Sequence, residues 1–285
     1  MCATCGCSGT AVVRLFPAGG QERAGVGCGP ERAHLHVADE HERHEHDHDE
    51  GEHEHEHGRE HERLGEERTV LLKQKVLAKN DRLAELNRDW LRQRSVLAIN
   101  LMSSPGAGKT TLLERTAREL EGRMVISVIE GDQAGALDAG RIRAAGCQVV
   151  QINTGAGCHL DAEMVAEGLL ALDPPSGSVV MIENVGNLVC PALFDLGEQA
   201  RVVLASVTEG DDKPLKYPHI FRRADLVLVS KTDLLPYVDF DSKRHAADVR
   251  RASPGALMLQ LSAATGSGMQ EWYDWLRRRT PAPRE

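Results

Sequence analysis

The chain has 285 residues, of which 41% are apolar and 4% aromatic, and a formal net charge of −9. That length and composition suffice for one large α/β domain with an aliphatic core, plus an appendage. Residues 1–65 carry 6 Lys/Arg against 14 Asp/Glu, net −8, so the remainder is nearly neutral and lacks the basic footprint of a nucleic-acid binder. No apolar run is long enough to span a bilayer and no signal-peptide pattern opens the chain. A cytoplasmic protein is expected, with its seven cysteines kept reduced and available as ligands.

Residues 1–66 read as a metal-binding tail. Cys2, Cys5 and Cys7 place three thiols within six residues, with Gly6 easing the turn, so that the thiolates could wrap one soft ion. Between His34 and His61 lie ten of the thirteen histidines, alternating with acids as in His53, His55 and His57. Such a run cannot build an apolar core and is expected to be disordered, while binding several Ni²⁺ or Zn²⁺ ions weakly. Cys28 has no partner at a useful spacing.

Residues 67–285 form the body. An amphipathic helix is expected from Glu67 to about Arg92, with Leu72, Val76, Leu83, Leu86 and Trp90 spaced three to four apart. Mostly continuous apolar runs then predict strands at Val96–Met102, Met124–Ile129, Gln148–Ile152, Val179–Glu183, Val202–Val207, Leu226–Val229 and Met258–Leu261. Helical patterns fall between them at Leu112–Glu121, Leu137–Ala145, Ala162–Leu172 and His245–Arg251, with a last one at Met269–Arg278. The fold class is α/β, a doubly wound and mostly parallel sheet with ligands at the carboxyl ends of its strands.

After the first body strand comes Ser103-Ser104-Pro105-Gly106-Ala107-Gly108-Lys109-Thr110-Thr111. Glycines let backbone N–H groups curl toward phosphate oxygens, and the helix that follows adds its positive end. Gly106, Ala107, Gly108 and Thr111 would line the cradle, Lys109 would reach the β- and γ-phosphates, and Thr110 would hold Mg²⁺. Ser103 stands where the G-x-x-x-x-G-K-[ST] pattern has Gly.

Two acids follow strands near this loop, Asp132 and Glu183. Either is suited to Mg²⁺, directly or through water, and Asp132 is the better placed to orient the attacking water. Gly186 would offer its N–H to the γ-phosphate. Cys158-His159 and Cys190 lie in loops that open on the same side of the sheet. Two thiolates and an imidazole suit Zn²⁺ or Ni²⁺, with a fourth position left to water, to an acid such as Glu163, or to a second copy of the chain.

Ser230-Lys231-Thr232-Asp233 is close to the Asn-Lys-x-Asp run that reads guanine in GTPases. The Asp233 carboxylate would accept from the ring N–H and exocyclic amine together, while Lys231 lays its stem along the ring. Ser262-Ala263 ends the next strand, where a backbone N–H would meet the guanine oxygen. Ser230 in place of Asn predicts weaker nucleotide binding.

Through these residues, and through Asn80-Asp81-Arg82, Gly131-Asp132-Gln133, Ile182 to Pro191 and Thr208 to Pro218, the chain resembles HypB, the GTPase family that helps insert nickel into [NiFe]-hydrogenase. The resemblance implies slow GTP hydrolysis, a homodimer that forms around GTP, and partners in the hydrogenase large subunit and another nickel maturation factor. It also implies a tight nickel site at Cys2, Cys5 and Cys7, a metal site at Cys158, His159 and Cys190 near the dimer interface, and a Lys213 that reaches nucleotide across the dimer. Ser103 is usual in that family, and Ser230 is a departure. The function expected is a GTP-hydrolysing nickel metallochaperone with a storage tail. The rivals are a urease-type maturation GTPase and a nickel-buffering protein whose nucleotide domain is vestigial.

Overall fold

The computed structural model describes residues 12–16, 54–132, 137–155 and 157–283. Its strands are β1 (Val12–Phe16), β2 (Leu97–Ser103), β3 (Ile126–Asp132), β4 (Gln148–Asn153), β5 (Val179–Glu183), β6 (Ala200–Ser206), β7 (Leu226–Ser230) and β8 (Leu257–Gln260). They form one sheet in the order β1-β4-β3-β5-β2-β6-β7-β8. Every pairing is parallel except β1 on β4.

The helices are α1 (Glu54–Gln93), α2 (Lys109–Leu120), α3 (Leu137–Ala144), α4 (Ala162–Leu172), α5 (Lys213–Lys216), α6 (Pro218–Arg222), α7 (Ser242–Ala252) and α8 (Met269–Arg279). Alternate residues of the strands serve opposite faces. Leu97, Ile99 and Leu101 of β2 pack with Leu112, Leu113, Ile142, Trp272 and Leu276 from α2, α3 and α8. Ala98 joins Leu91, Val165 and Leu169 from α1 and α4, and Met102 joins Ile220, Phe221 and Val249 from α6 and α7. Each of the larger buried side chains contributes about 1.5–3 kcal/mol relative to exposure. Coverage on both faces is why the central strands are unbroken apolar runs.

The doubly wound, mostly parallel sheet is the expected one, with strand ends displaced by a few residues. Three differences concern the tail and the connections. Val12–Phe16, inside the stretch read as a metal-binding tail, is a strand; its β-formers pair along the otherwise free edge of β4. The helix expected from Glu67 begins at Glu54. α5 and α6 are too short to give a periodic signal.

β2 feeds α2 and then β3, which lies beyond β5, whereas β6, β7 and β8 are laid down on the other side of β2. The carboxyl end of β2 is therefore the point where the winding reverses, and a crevice opens there. Among the described residues, no helix is long and apolar enough to cross a membrane.

Candidate nucleotide and metal site

Two cavities open at that crevice. The larger, about 490 Å³, is lined by Gly106, Gly108, Lys109, Thr110, Glu130, Asp132, Glu183 and Gly186 among others. The smaller, about 340 Å³, is lined by Ala107, Ser230, Asp233, Ser262 and Ala263 among others. Gly108, Thr111 and Lys231 line both, so the phosphate loop is the wall between them. The structure thus gathers the residues assigned from sequence to the phosphates and to the base around adjoining spaces.

The loop turns through Gly106 (φ 75°) and Gly108 (φ 100°), backbone conformations that a side chain would strain. Ser103 has no positive φ and sits buried at the end of β2, so glycine is not required there. Its hydroxyl accepts from Lys109 Nζ at 2.9 Å and donates to the Ser104 carbonyl at 2.6 Å. Burial lowers the Lys109 pKa, an effect opposed by the neighbouring Glu183 and Glu209 carboxylates.

Thr110 Oγ1 donates to Glu183 Oε1 at 2.9 Å. Glu183 lies opposite Glu130 in the β3–β5 register, and each has a buried Oε2 without a hydrogen-bond partner. Burial pushes the Glu183 pKa up to about 7, with Lys109 and Thr110 pulling against it. Glu130 is pushed up to about 8, by burial first and then by Glu183, Asp138 and Asp132. Orphaned carboxylate oxygens beside a threonine hydroxyl fit a hard divalent cation. Asp132, half-exposed at the end of β3, lines the same cavity.

Glu130 lies one residue beyond the strand expected at Met124–Ile129 and was given no role from the sequence, whereas in the structure β3 runs on to Asp132. Its spacing of two from Asp132 puts both on one face of β3, and that was the available signal. Glu209 was also missed. Its Oε2 accepts from Ser104 Oγ at 2.8 Å, and Lys213 Nζ stands 3.4 Å from the same hydroxyl within the one chain.

On the base side, Ser230 Oγ donates to the Ala107 carbonyl at 2.8 Å and Lys231 Nζ to the Gly106 carbonyl at 2.7 Å. Ser262 Oγ donates to Asp233 Oδ1 at 2.5 Å. The serine at position 230 therefore braces the phosphate loop.

Cys158, His159 and Cys190 converge, with ligand atoms all within 4.8 Å of one another. That is close to the span one ion can bridge with bonds of about 2.0–2.3 Å. Burial lowers the His159 pKa against the pull of Asp161, which favours the neutral, ligating imidazole. His159 stacks on Phe194 with ring centroids 3.9 Å apart. Glu163 is instead turned to Lys79, at 2.7 Å. Cys2, Cys5, Cys7 and His53 lie outside the described residues; His55 and His57 fall within the backbone of α1.

The CobW/HypB/UreG nucleotide-binding domain matches residues 97–260. The hydrogenase maturation factor HypB of Azotobacter vinelandii is 53% identical over 216 residues, 76% of this chain and 71% of that protein. The chain belongs to the HypB family of hydrogenase maturation factors. Among solved structures, HypB from Archaeoglobus fulgidus is 43% identical, with a TM-score of 0.67 over 70% of this chain and 98% of that one. HypB from Helicobacter pylori in complex with nickel is 35% identical, with a TM-score of 0.66 over 73% and 99%. Membership in the HypB family agrees with the P-loop sheet and with the paired cavities at its carboxyl edge.

Proposed function

We propose that the chain is a GTP-hydrolysing nickel metallochaperone of hydrogenase maturation, in which the state of the nucleotide governs the hold on the metal. The observation that supports this is the continuity of one segment. Glu183 is hydrogen-bonded to Thr110 in the phosphate loop, Gly186 lies so close to Pro105 that an added Cβ would sit 2.9 Å from its Cα, and Cys190 converges with Cys158 and His159.

In the nucleotide site, the loop N–H groups and Lys109 would bind and orient the phosphates, and Asp132 would position water in line with the γ-phosphate. Thr110, Glu183 and Glu130 would hold Mg²⁺, which supplies charge neutralisation for the departing phosphate. Gly186 would sense the γ-phosphate through its N–H, and loss of that contact would free the segment that ends at Cys190. Asp233 and Lys231, with the Ser262-Ala263 turn, would select guanine.

The metal cluster would take Ni²⁺ as cargo, with Zn²⁺ a chemically suitable competitor, and its fourth position would be completed by water or a second copy of the chain. The tail, through Cys2, Cys5, Cys7 and the histidines, would store nickel. The recipient would be a hydrogenase, in keeping with relatives named hydrogenase maturation factors.

The test is the metal affinity of Cys158, His159 and Cys190, in full-length protein with Cys2, Cys5 and Cys7 replaced, under a non-hydrolysable GTP analogue and under GDP. A several-fold difference supports the reading. Equal affinities with normal hydrolysis would leave a GTPase and a metal store on one chain. Hydrolysis no faster than that of Lys109→Ala would favour a nickel buffer.

A further inference from the structure

The face of α1 that meets the body carries two buried asparagines, Asn80 and Asn87, seven residues apart and so two turns along one stripe. Both span the same two loops. Asn80 accepts from the Ala162 N–H at 2.9 Å and donates to the Asp195 carbonyl at 2.8 Å. Asn87 donates to the Ala162 carbonyl at 2.8 Å and to the Leu196 carbonyl at 3.0 Å. Arg88 adds a charged contact, its Nη2 donating to both carboxylate oxygens of Asp195, at 2.7 and 2.9 Å.

The partners of Asn80 flank the metal cluster on both sides. Ala162 lies three residues beyond His159, and Asp195 directly follows Phe194, the ring on which the His159 imidazole stacks. The Asn80 amide, with Asn87 two turns further along α1, therefore ties together the two backbones that carry the stacked pair, and Asn80 is the one bonded to Asp195, next to Phe194. A buried asparagine satisfied at both ends is also a rigid spacer, because either end left unpaired costs about 1–3 kcal/mol.

We infer that Asn80 is a positioning residue of the metal cluster: it holds the His159–Phe194 stack in register and so aims the imidazole at the point where the Cys158 and Cys190 thiolates meet. The inference rests on the reading of Cys158, His159 and Cys190 as ligands. It gives α1, which supplies no ligand to this cluster, control of its geometry.

The experiment uses the full chain with Cys2, Cys5, Cys7 and Cys28 replaced by alanine, so that nickel–thiolate absorption reports the remaining cluster. Ni²⁺ affinity is read by competition with a chelator for the parent, Asn80→Asp, Asn80→Ala, His159→Ala and each Asn80 variant combined with His159→Ala. Asn80→Asp keeps the acceptor for Ala162 and removes the donor to Asp195. The expected result is a loss of about 10–100-fold in the Asn80 variants, the range for residues that orient metal ligands, with an altered charge-transfer spectrum. No further loss is expected once His159 is absent.

Thermal unfolding and GTP hydrolysis are measured alongside. A loss of affinity that persists unchanged without His159, or an unaltered affinity in a folded Asn80→Asp protein, overturns the role. If His159→Ala itself binds nickel as the parent does, the ligand assignment has failed, and this inference with it.

Discussion

Thr110 Oγ1 donates to Glu183 Oε1 at 2.9 Å, joining the residue after the phosphate-loop lysine to the last residue of β5. The other Glu183 oxygen is buried without a partner, so the contact leaves half of a carboxylate for a cation. Glu183→Gln retains an oxygen for Thr110 but lowers the charge. Its Mg²⁺ affinity in the presence of GTP is expected to fall by about 10–100-fold or more, with hydrolysis falling in parallel at limiting Mg²⁺. Unchanged hydrolysis across a Mg²⁺ titration would assign the ion to Asp132 instead.

The burial of Glu130, with the Glu183 carboxylate beside it, predicts a pH dependence of stability. Glu130 is held at about 8 when folded, against an ordinary value of 4.5. The unfolded chain releases this proton first, so stability without nucleotide or Mg²⁺ is greatest below about pH 4.5 as far as this group is concerned, and declines until pH passes about 8. Glu130→Gln should remove that decline and raise the apo melting temperature at pH 8, while weakening Mg²⁺–GTP binding. Melting curves from pH 6 to 9 check it, and parallel curves for variant and parent would refute it.

Both the sheet and the nucleotide loop were legible because each leaves a local trace. An unbroken apolar run such as Leu226–Ser230 marks a strand covered on both faces, and Gly106, Gly108 and Lys109 mark a backbone bent around phosphate. Glu130 left only its spacing of two from Asp132, since its importance arises from register with Glu183 across two strands. Val12–Phe16 was hidden for a related reason: a five-residue strand at a sheet edge is stabilised by β4, not by its own pattern. Asn80 belongs to the Asn80-Asp81-Arg82 run, yet its partners at Ala162 and Asp195 are more than 80 residues away in sequence.

Guanine selection has its own test. Asp233 lines the smaller cavity and accepts from Ser262. Asp233→Asn exchanges a carboxylate oxygen for an amide donor, which matches the extra carbonyl of xanthine and not the amine of guanine. Affinity for GTP should fall by about 1–3 kcal/mol, the cost of an unpaired buried polar group, and affinity for xanthosine triphosphate should rise. Equal losses for both nucleotides in a competition assay would remove Asp233 from base recognition. Ser230→Ala, which deletes only the 2.8 Å bond to Ala107, should weaken both nucleotides alike.

The strongest test of communication between the two sites is at Gly186. A Cβ there would lie 2.9 Å from Pro105 Cα and 3.0 Å from Pro105 N, backbone atoms that cannot swing aside. Gly186→Ala must therefore separate the β5 exit from the phosphate loop, while Cys158 and His159, on another loop, keep their own supports at Ala162. The variant is expected to bind metal without nucleotide as the parent does, but to lose the difference between a GTP analogue and GDP. Chelator competition with each nucleotide measures this. A variant that still discriminates the two nucleotides would show that the signal reaches Cys190 by another route, the nearest being Asn184, whose side chain accepts the Leu160 N–H at 3.2 Å.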